Sequence, residues 1–146
     1  MIVQCDFDGT ITINNISVVL RERFAPGSWR DVETEYFQGR LSVEQSNRNQ
    51  FALIKEPKQS LQEYARQKYK LRPGFLEFIG NCRAADIRFV IVSSGLDFYI
   101  EKVLRDIGAP ELEIYCARTS FNRDGIGVSY LDHLGSDVQE GFKKGY

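Results

Sequence analysis

The chain opens with a short apolar run, Ile2-Val3-Gln4-Cys5, that stops abruptly at Asp6-Phe7-Asp8-Gly9-Thr10. Such a run predicts a strand, and a boundary of carboxylates and glycine ends it. Those residues do not build a core. In open α/β sheets ligands bind beyond the carboxyl ends of the strands, so a polar cluster placed there is positioned for chemistry rather than packing. The pattern returns downstream, where β-branched and aromatic Arg88 to Val92 predicts a second strand ending in Ser93-Ser94-Gly95.

Between these motifs the periodicity turns helical. Ile16, Val19, Leu20 and Phe24 share one face, and Trp29, Val32 and Tyr36 another. Ser42 to Gln45 and Ser60 to Glu63 read as capping boxes, and the segment as a whole as about four short helices. Arg72-Pro73-Gly74 ends it, with Pro73 placed to start a helix whose apolar stripe is Phe75, Phe78, Ile79 and Cys82. A helix with Leu96, Ile100, Val103, Leu104 and Ile107 on its buried face closes at Gly108, with Pro110 beyond. Leu112 to Cys116 predicts a third parallel strand. Arg118 to Phe121 and Ile126 to Tyr130 predict a hairpin around Asn122-Arg123-Asp124-Gly125, and Asp137 to Tyr146 the start of a closing helix. The β-α-β-α-β order implies an α/β fold, a Rossmann-like parallel sheet with right-handed crossovers. Residues 1–13 and 72–146 form its discontinuous core, 14–71 a small helical cap inserted after the first strand.

Composition limits the partners. With 146 residues, 42% of them apolar, the chain fits one ordinary domain. Nineteen Lys and Arg against twenty Asp and Glu leave a charge of -1, which gives no electrostatic case for nucleic acid or an anionic membrane. No apolar stretch approaches the roughly 18 to 20 residues that span a bilayer. Three widely spaced cysteines, Cys5, Cys82 and Cys116, fit free thiols in a reducing compartment, with the cytoplasm as the default expectation.

Asp6 and Asp8 are spaced to face one site, Gly9 lets the backbone turn tightly, and Thr10 offers a hydroxyl and an N–H. A carboxylate pair suits Mg²⁺, a hard cation that takes one or two carboxylates together with substrate phosphate oxygens and water. An aspartate can also act as a nucleophile toward phosphorus while a second one moves the proton. The bland reading, a solvated Asp-rich turn, is weakened by the apolar strand before it and the Gly-Thr after it. Ser93, Ser94 and Gly95 precede a helix N-terminus, where free N–H groups favour an anion such as phosphate. Cap formation by Ser93 and Ser94 is the simpler role for the pair.

Asp6-Phe7-Asp8-Gly9-Thr10-Ile11-Thr12 resembles the first motif of the haloacid dehalogenase-like phosphatases, and the order of segments after it follows that family. The resemblance implies a phosphatase of small phosphate monoesters working through an aspartyl-phosphate. It makes Asp6 the nucleophile and Asp8 the general acid/base. Both would hold Mg²⁺, Asp8 through its backbone carbonyl. Gly9, Thr10, Ser94 and Gly95 would line the phosphate, with Ser93 as the hydroxyl of the second motif. For the third-motif lysine, the run Gly141-Phe142-Lys143-Lys144 favours Lys143, although an adjacent lysine pair is also an ordinary solvated face. The acidic pair of the fourth motif has no counterpart before Tyr146, so the core is expected to be incomplete at its C-terminus and the 146 residues impaired on their own.

Ser93-Ser94-Gly95-Leu96-Asp97-Phe98-Tyr99 and Thr12-Ile13-Asn14-Asn15 resemble the branch that dephosphorylates 2-hydroxy-3-keto-5-methylthiopentenyl-1-phosphate. The phosphoserine phosphatases, which carry a Glu where this chain has Asn14 and Asn15, are the nearest alternative. A non-catalytic phosphate-binding module is the alternative of a different class. Arg21, Arg23, Arg30, Arg40 and Arg48 are read as surface charges of the cap, and Phe24, Trp29, Tyr36 and Phe37 as its core.

Overall fold

Four strands make one sheet in the order β1-β2-β3-β4: β1 (Ile2–Cys5), β2 (Arg88–Leu96), β3 (Glu113–Asn122) and β4 (Gly125–Ser129). The computed structural model describes residues 1–132, 134–139 and 141. β1, β2 and β3 run parallel, and β4 returns antiparallel to β3. Four helices, α1 (Ile16–Phe24), α2 (Trp29–Phe37), α3 (Val43–Phe51) and α4 (Lys58–Lys68), separate β1 from α5 (Phe75–Ala84); α6 (Asp97–Asp106) joins β2 to β3. This is the expected α/β architecture, with the helical insertion after the first strand.

Local chemistry explains where the helices start and stop. The Asn15 side chain accepts from Val18 N at 3.0 Å and starts α1. Ser42 and Gln45 form the expected reciprocal capping box on α3. The expected box at Ser60 is not formed: α4 begins three residues earlier than that cap implies, behind Pro57, whose fixed φ presets the first turn, so Ser60 lies inside the helix. Gly74, at φ +83°, is the residue before α5, and Gly108, at φ +78°, ends α6 as expected.

The insertion leaves and rejoins the sheet at one point. Thr12 and Leu71 form an antiparallel bridge, and Ile13 N donates to Lys70 O at 2.8 Å. The Asn14 side chain spans both ends, donating to Lys68 O and accepting from Lys70 N. The insertion does not stand apart, however. Ile16, Leu20, Phe51, Ile54, Leu61 and Ala65 are fully buried in the same apolar cluster as Ile91, Leu96, Ile100 and Leu104. Each such side chain contributes roughly 1.5 to 3 kcal/mol by leaving water.

Several expectations are corrected. The third parallel strand and the first arm of the hairpin are a single strand, β3, whose first half pairs with β2 and second half with β4. Phe78 leaves the stripe of α5 and is 46% exposed, while Phe75, Ile79 and Cys82 are buried. Asp137 bridges Leu131 and does not start a helix; the rest of that expected helix lies largely outside the described residues. Cys5, Cys82 and Cys116 are free thiols, and no described helix is long and apolar enough to cross a membrane.

β4 begins against the end of α3. Gly125 has φ +123°, and a Cβ there would fall on the Ala52 carbonyl, 2.9 Å from its carbon. Both backbone strain and contact oppose a side chain, so Gly125→Ala is expected to destabilise the fold by about 2 to 3 kcal/mol in a denaturant titration. An unchanged midpoint would contradict this packing.

Candidate active site

Parallel pairing of β1 with β2 places Cys5 opposite Ile91, so Asp6 emerges beside the segment that follows Val92. That segment is bulged. Four residue steps on β2, from Val92 to Leu96, oppose two on β3, from Tyr115 to Ala117. The surplus takes Ser93, Ser94 and Gly95 out of the ladder and turns them toward Asp6 and Asp8. The bulge is held from behind, where Ser94 O accepts from Tyr130 Oη at 2.6 Å and from Asn47 Nδ2 at 2.9 Å.

After β1 the backbone turns through Phe7–Ile11, with Gly9 at φ +76°. Phe7 is fully buried, packing 6.2 Å from the Tyr99 ring, and Asp6 and Asp8 flank it. Thr12, also fully buried, ties the turn by donating its hydroxyl to Phe7 O and Asn14 O. Asp6 and Asp8 line a cleft of about 290 Å³ whose floor carries Ser93, Ser94 and Gly95 and whose walls come from α1, α2 and α3.

Asp8 is held on both oxygens. Ile16 N donates to Oδ1 at 2.7 Å and Tyr99 Oη donates to Oδ2 at 2.6 Å. Burial pushes its pKa up from 3.8 to about 6, against the lowering effect of bonds from Tyr99 and the first N–H groups of α1. Burial and the neighbouring Asp8 raise Tyr99 well above its ordinary 10, so its hydroxyl keeps the proton it donates. Gly95 is required by this convergence: a Cβ there would strike the Tyr99 hydroxyl and lie 2.7 Å from Asp8 Oδ2 and 3.1 Å from Ser93 Oγ. Ser93, only 1% exposed, accepts from Gly95 N at 3.0 Å and does not cap α6, nor does Ser94, because α6 starts at Asp97 behind Leu96.

Of the other expected site residues, Gly9 and Thr10 stand outside the cleft lining, exposed, with their carbonyls bound by the Arg72 guanidinium. Lys143 and Lys144 lie outside the described residues. Asn14 braces the insertion, while Asn15 reaches the cleft. Tyr36 and Phe37 are not cap core. They line the cleft, and Phe37 is 76% exposed. Cys5 packs beside Asp6, and burial raises its pKa, leaving a neutral thiol.

The sequence reading missed the wall opposite the aspartates. Ser17 and Arg21 from α1 and Ser46, Asn47 and Gln50 from α3 are all buried and all line the cleft. Arg21 Nη1 donates to Ser17 Oγ at 3.0 Å and to Asn47 Oδ1 at 3.4 Å, and its guanidinium lies 5.3 Å from the Trp29 ring centroid. The signal was present: Ser17, Arg21, Ser46, Asn47 and Gln50 sit at three- and four-residue spacings, a polar stripe on helices whose other faces pack.

The donor chemistry suits a hard divalent cation. Among the described residues no group of three or more Asp, Glu, His or Cys side chains converges, and the described carboxylates that line the cleft are Asp6, Asp8 and Glu33. The Asp8 carboxylate is committed to Ile16 N and Tyr99 Oη, while Asp6 accepts from Phe7 N and lines the cleft.

Residues 3–135 match the model of the haloacid dehalogenase-like hydrolase family. A protein of Bacillus pumilus named 2-hydroxy-3-keto-5-methylthiopentenyl-1-phosphate phosphatase is 31% identical over 96% of this chain and 61% of its own length. A protein of the same name from Geobacillus kaustophilus is 30% identical over 97% and 64%. The chain thus spans about three fifths of the length of these relatives. Among solved structures, a HAD family hydrolase of Salmonella enterica serovar Typhi superposes with a TM-score of 0.71 at 19% identity, over 86% of this chain and 43% of the other. A phospho-aspartyl intermediate analogue of phosphoserine phosphatase gives 0.66 at 20% identity, over 88% and 63%.

Proposed function

The chain belongs to the haloacid dehalogenase-like hydrolase family, and we propose that it is a phosphatase of small phosphate monoesters in which Asp6 attacks phosphorus and Asp8 moves the proton. One observation carries this reading: two carboxylates in one cleft have been given opposite environments. Asp6 borders the open space, whereas Asp8 is boxed in by Tyr99 and the start of α1 and raised to about 6. A buried acid of raised proton affinity can serve as the proton donor beside a carboxylate that attacks.

The step balances without an external acid. The Asp6 carboxylate forms a bond to phosphorus as the ester bond breaks, and Asp8 gives its proton to the departing alkoxide. Asp8 then takes a proton from water as that water attacks the aspartyl-phosphate, releasing phosphate and restoring Asp6. Ser93 Oγ and the N–H groups of the bulge serve the phosphoryl oxygens. Mg²⁺, held by Asp6 and the Asp8 carbonyl, would neutralise charge on the phosphate when bound.

The names of the two relatives favour a hydroxy-keto phosphate as the substrate. Against phosphoserine, the segment after the Asp6-Asp8 turn presents neutral Asn15, and not a carboxylate, to the cleft. Hydrolysis of p-nitrophenyl phosphate tests the general reading. Turnover that requires Mg²⁺ and stops in EDTA is expected; folded proteins inert under both conditions, both as these 146 residues and extended by the C-terminal segment of a relative, would refute a phosphatase and favour the binding-module alternative.

A further inference from the structure

Two polar atoms buried in the cleft wall have no partner: Arg21 Nε, a donor, and Gln50 Oε1, an acceptor. Both side chains are nearly inaccessible, at 6% and 2% exposure, and both face the cleft that holds Asp6 and Asp8. The rest of each is accounted for by neutral groups. Arg21 Nη1 donates to Ser17 and Asn47, and Gln50 Nε2 donates to Ser46 Oγ at 3.0 Å. Among the described residues no carboxylate lies within 4 Å of the Arg21 guanidinium. Glu33, which also lines the cleft, and Asp8 act on the guanidinium only through space, so a buried cation bonded to no carboxylate and a buried carbonyl without a donor are each unfavourable to the fold. Their adjacency to an open cleft points outward, to a ligand that brings what both lack.

We propose that Arg21 and Gln50 form a specificity pair that reads the alcohol portion of the substrate, taking an oxyanion on Arg21 and a neighbouring hydroxyl on Gln50. This rests on the phosphatase reading for its substrate and narrows it to esters whose carbon chain carries a carboxylate or enolate oxygen beside a hydroxyl. The phosphoryl group sits on the floor at Asp6 and Ser93, and the wall from α1 and α3 meets the remainder of the molecule. Trp29 and Phe51 rings, with centroids 5.3 and 5.8 Å from the guanidinium carbon, hold the cation in place without neutralising it. Asn47 couples the pair to the floor, because it accepts from Arg21 and donates to the Ser94 carbonyl. Arg21 and Gln50 are therefore residues of recognition, and Asp6 and Asp8 those of reaction.

Matched esters test this. 3-Phosphoglycerate and glycerol 3-phosphate differ only in a carboxylate against a hydroxymethyl group. 3-Phosphooxypropanoate keeps the carboxylate and lacks the hydroxyl, and dihydroxyacetone phosphate presents an enolisable hydroxyketone. Calorimetric binding to the protein and kcat/KM are measured for each. Wild type is expected to prefer 3-phosphoglycerate or dihydroxyacetone phosphate over glycerol 3-phosphate at least tenfold, the preferred member telling carboxylate from enolate. Arg21→Met should bring that ratio within twofold and Arg21→Lys should restore part of it. Gln50→Leu should erase any preference of 3-phosphoglycerate over 3-phosphooxypropanoate.

A structural role makes the opposite forecast for stability. Removing a buried charge that no carboxylate bonds should leave the Tm of Arg21→Met equal to or above wild type. A Tm lowered by more than about 5 °C would assign Arg21 to the fold and overturn the proposal. So would wild-type ratios within twofold for every matched pair. Binding preference without any turnover, by these 146 residues and by a chain extended with the C-terminal segment of a relative alike, would refute the phosphatase reading and leave the pair standing. Turnover of p-nitrophenyl phosphate with no preference among the matched esters would do the reverse.

Discussion

Asp6→Asn is expected to lower phosphatase kcat by about 10⁴-fold or more while leaving the fold intact. The asparagine oxygen can still accept from Phe7 N, as Asp6 Oδ1 does at 2.9 Å, so the turn into Phe7–Ile11 keeps its geometry. What disappears is the anionic oxygen that attacks phosphorus and the charge that faces a cation. An amide is a poor nucleophile and a weaker ligand for Mg²⁺. The loss should appear in kcat on every ester, whatever its alcohol, because the same bond to phosphorus is made in each case. Residual turnover above a tenth of wild type would exclude Asp6 as the nucleophile. Acid quenching during turnover offers a second readout: phosphate trapped covalently on the wild-type protein and absent from Asp6→Asn.

The strand-end chemistry was legible because it breaks a local rule. Asp6 and Asp8 interrupt an apolar run, and Ser93 to Gly95 interrupt another, which only a site justifies. The parallel sheet and the four-helix insertion followed from hydrophobic period and capping. The cleft wall was missed for a specific reason: the four-residue spacing of Ser17 and Arg21 marks a polar stripe, but arginine is mostly a surface residue, and nothing local says that this stripe faces a cleft and not solvent. The fates of the insertion's arginines diverge through tertiary contacts. Arg40 pairs with Glu35 in solvent, Arg23 lies 5.4 Å from the Phe24 ring, and Arg48 bonds Asp137 and the Val128 carbonyl. Arg21 alone of the five faces inward on the cleft, where α3 supplies Asn47 from 26 residues away. Gly9 and Thr10 lie outside the cleft lining for a similar reason, since Arg72, some sixty residues downstream, binds their carbonyls.

Asp8→Asn is expected to impair catalysis and strengthen the fold, and the two effects have one cause. At neutral pH most of Asp8 is ionised and a minority carries the proton that the proposed step uses, since burial has raised its pKa from 3.8 to about 6. The unfolded chain ionises this group near its ordinary value, so between about pH 4 and 6 the folded state binds the proton more tightly. Folding is therefore favoured as pH falls through 6 and penalised above it. The penalty, at 1.36 kcal/mol per pH unit of separation, reaches about 2 to 3 kcal/mol above pH 7. Asparagine carries no charge to desolvate, and Ile16 N and Tyr99 Oη can still bond its amide. In EDTA at pH 8 the variant should therefore be more stable by about 2 kcal/mol, and that advantage should shrink toward pH 4. Turnover should fall by roughly 10² to 10⁴-fold, the usual value of a positioned acid. The loss should be smallest for p-nitrophenyl phosphate, whose leaving group departs without a proton, and largest for alkyl esters. A variant equally impaired on both, or one destabilised at pH 8, would show that Asp8 serves the architecture of the turn and not the proton.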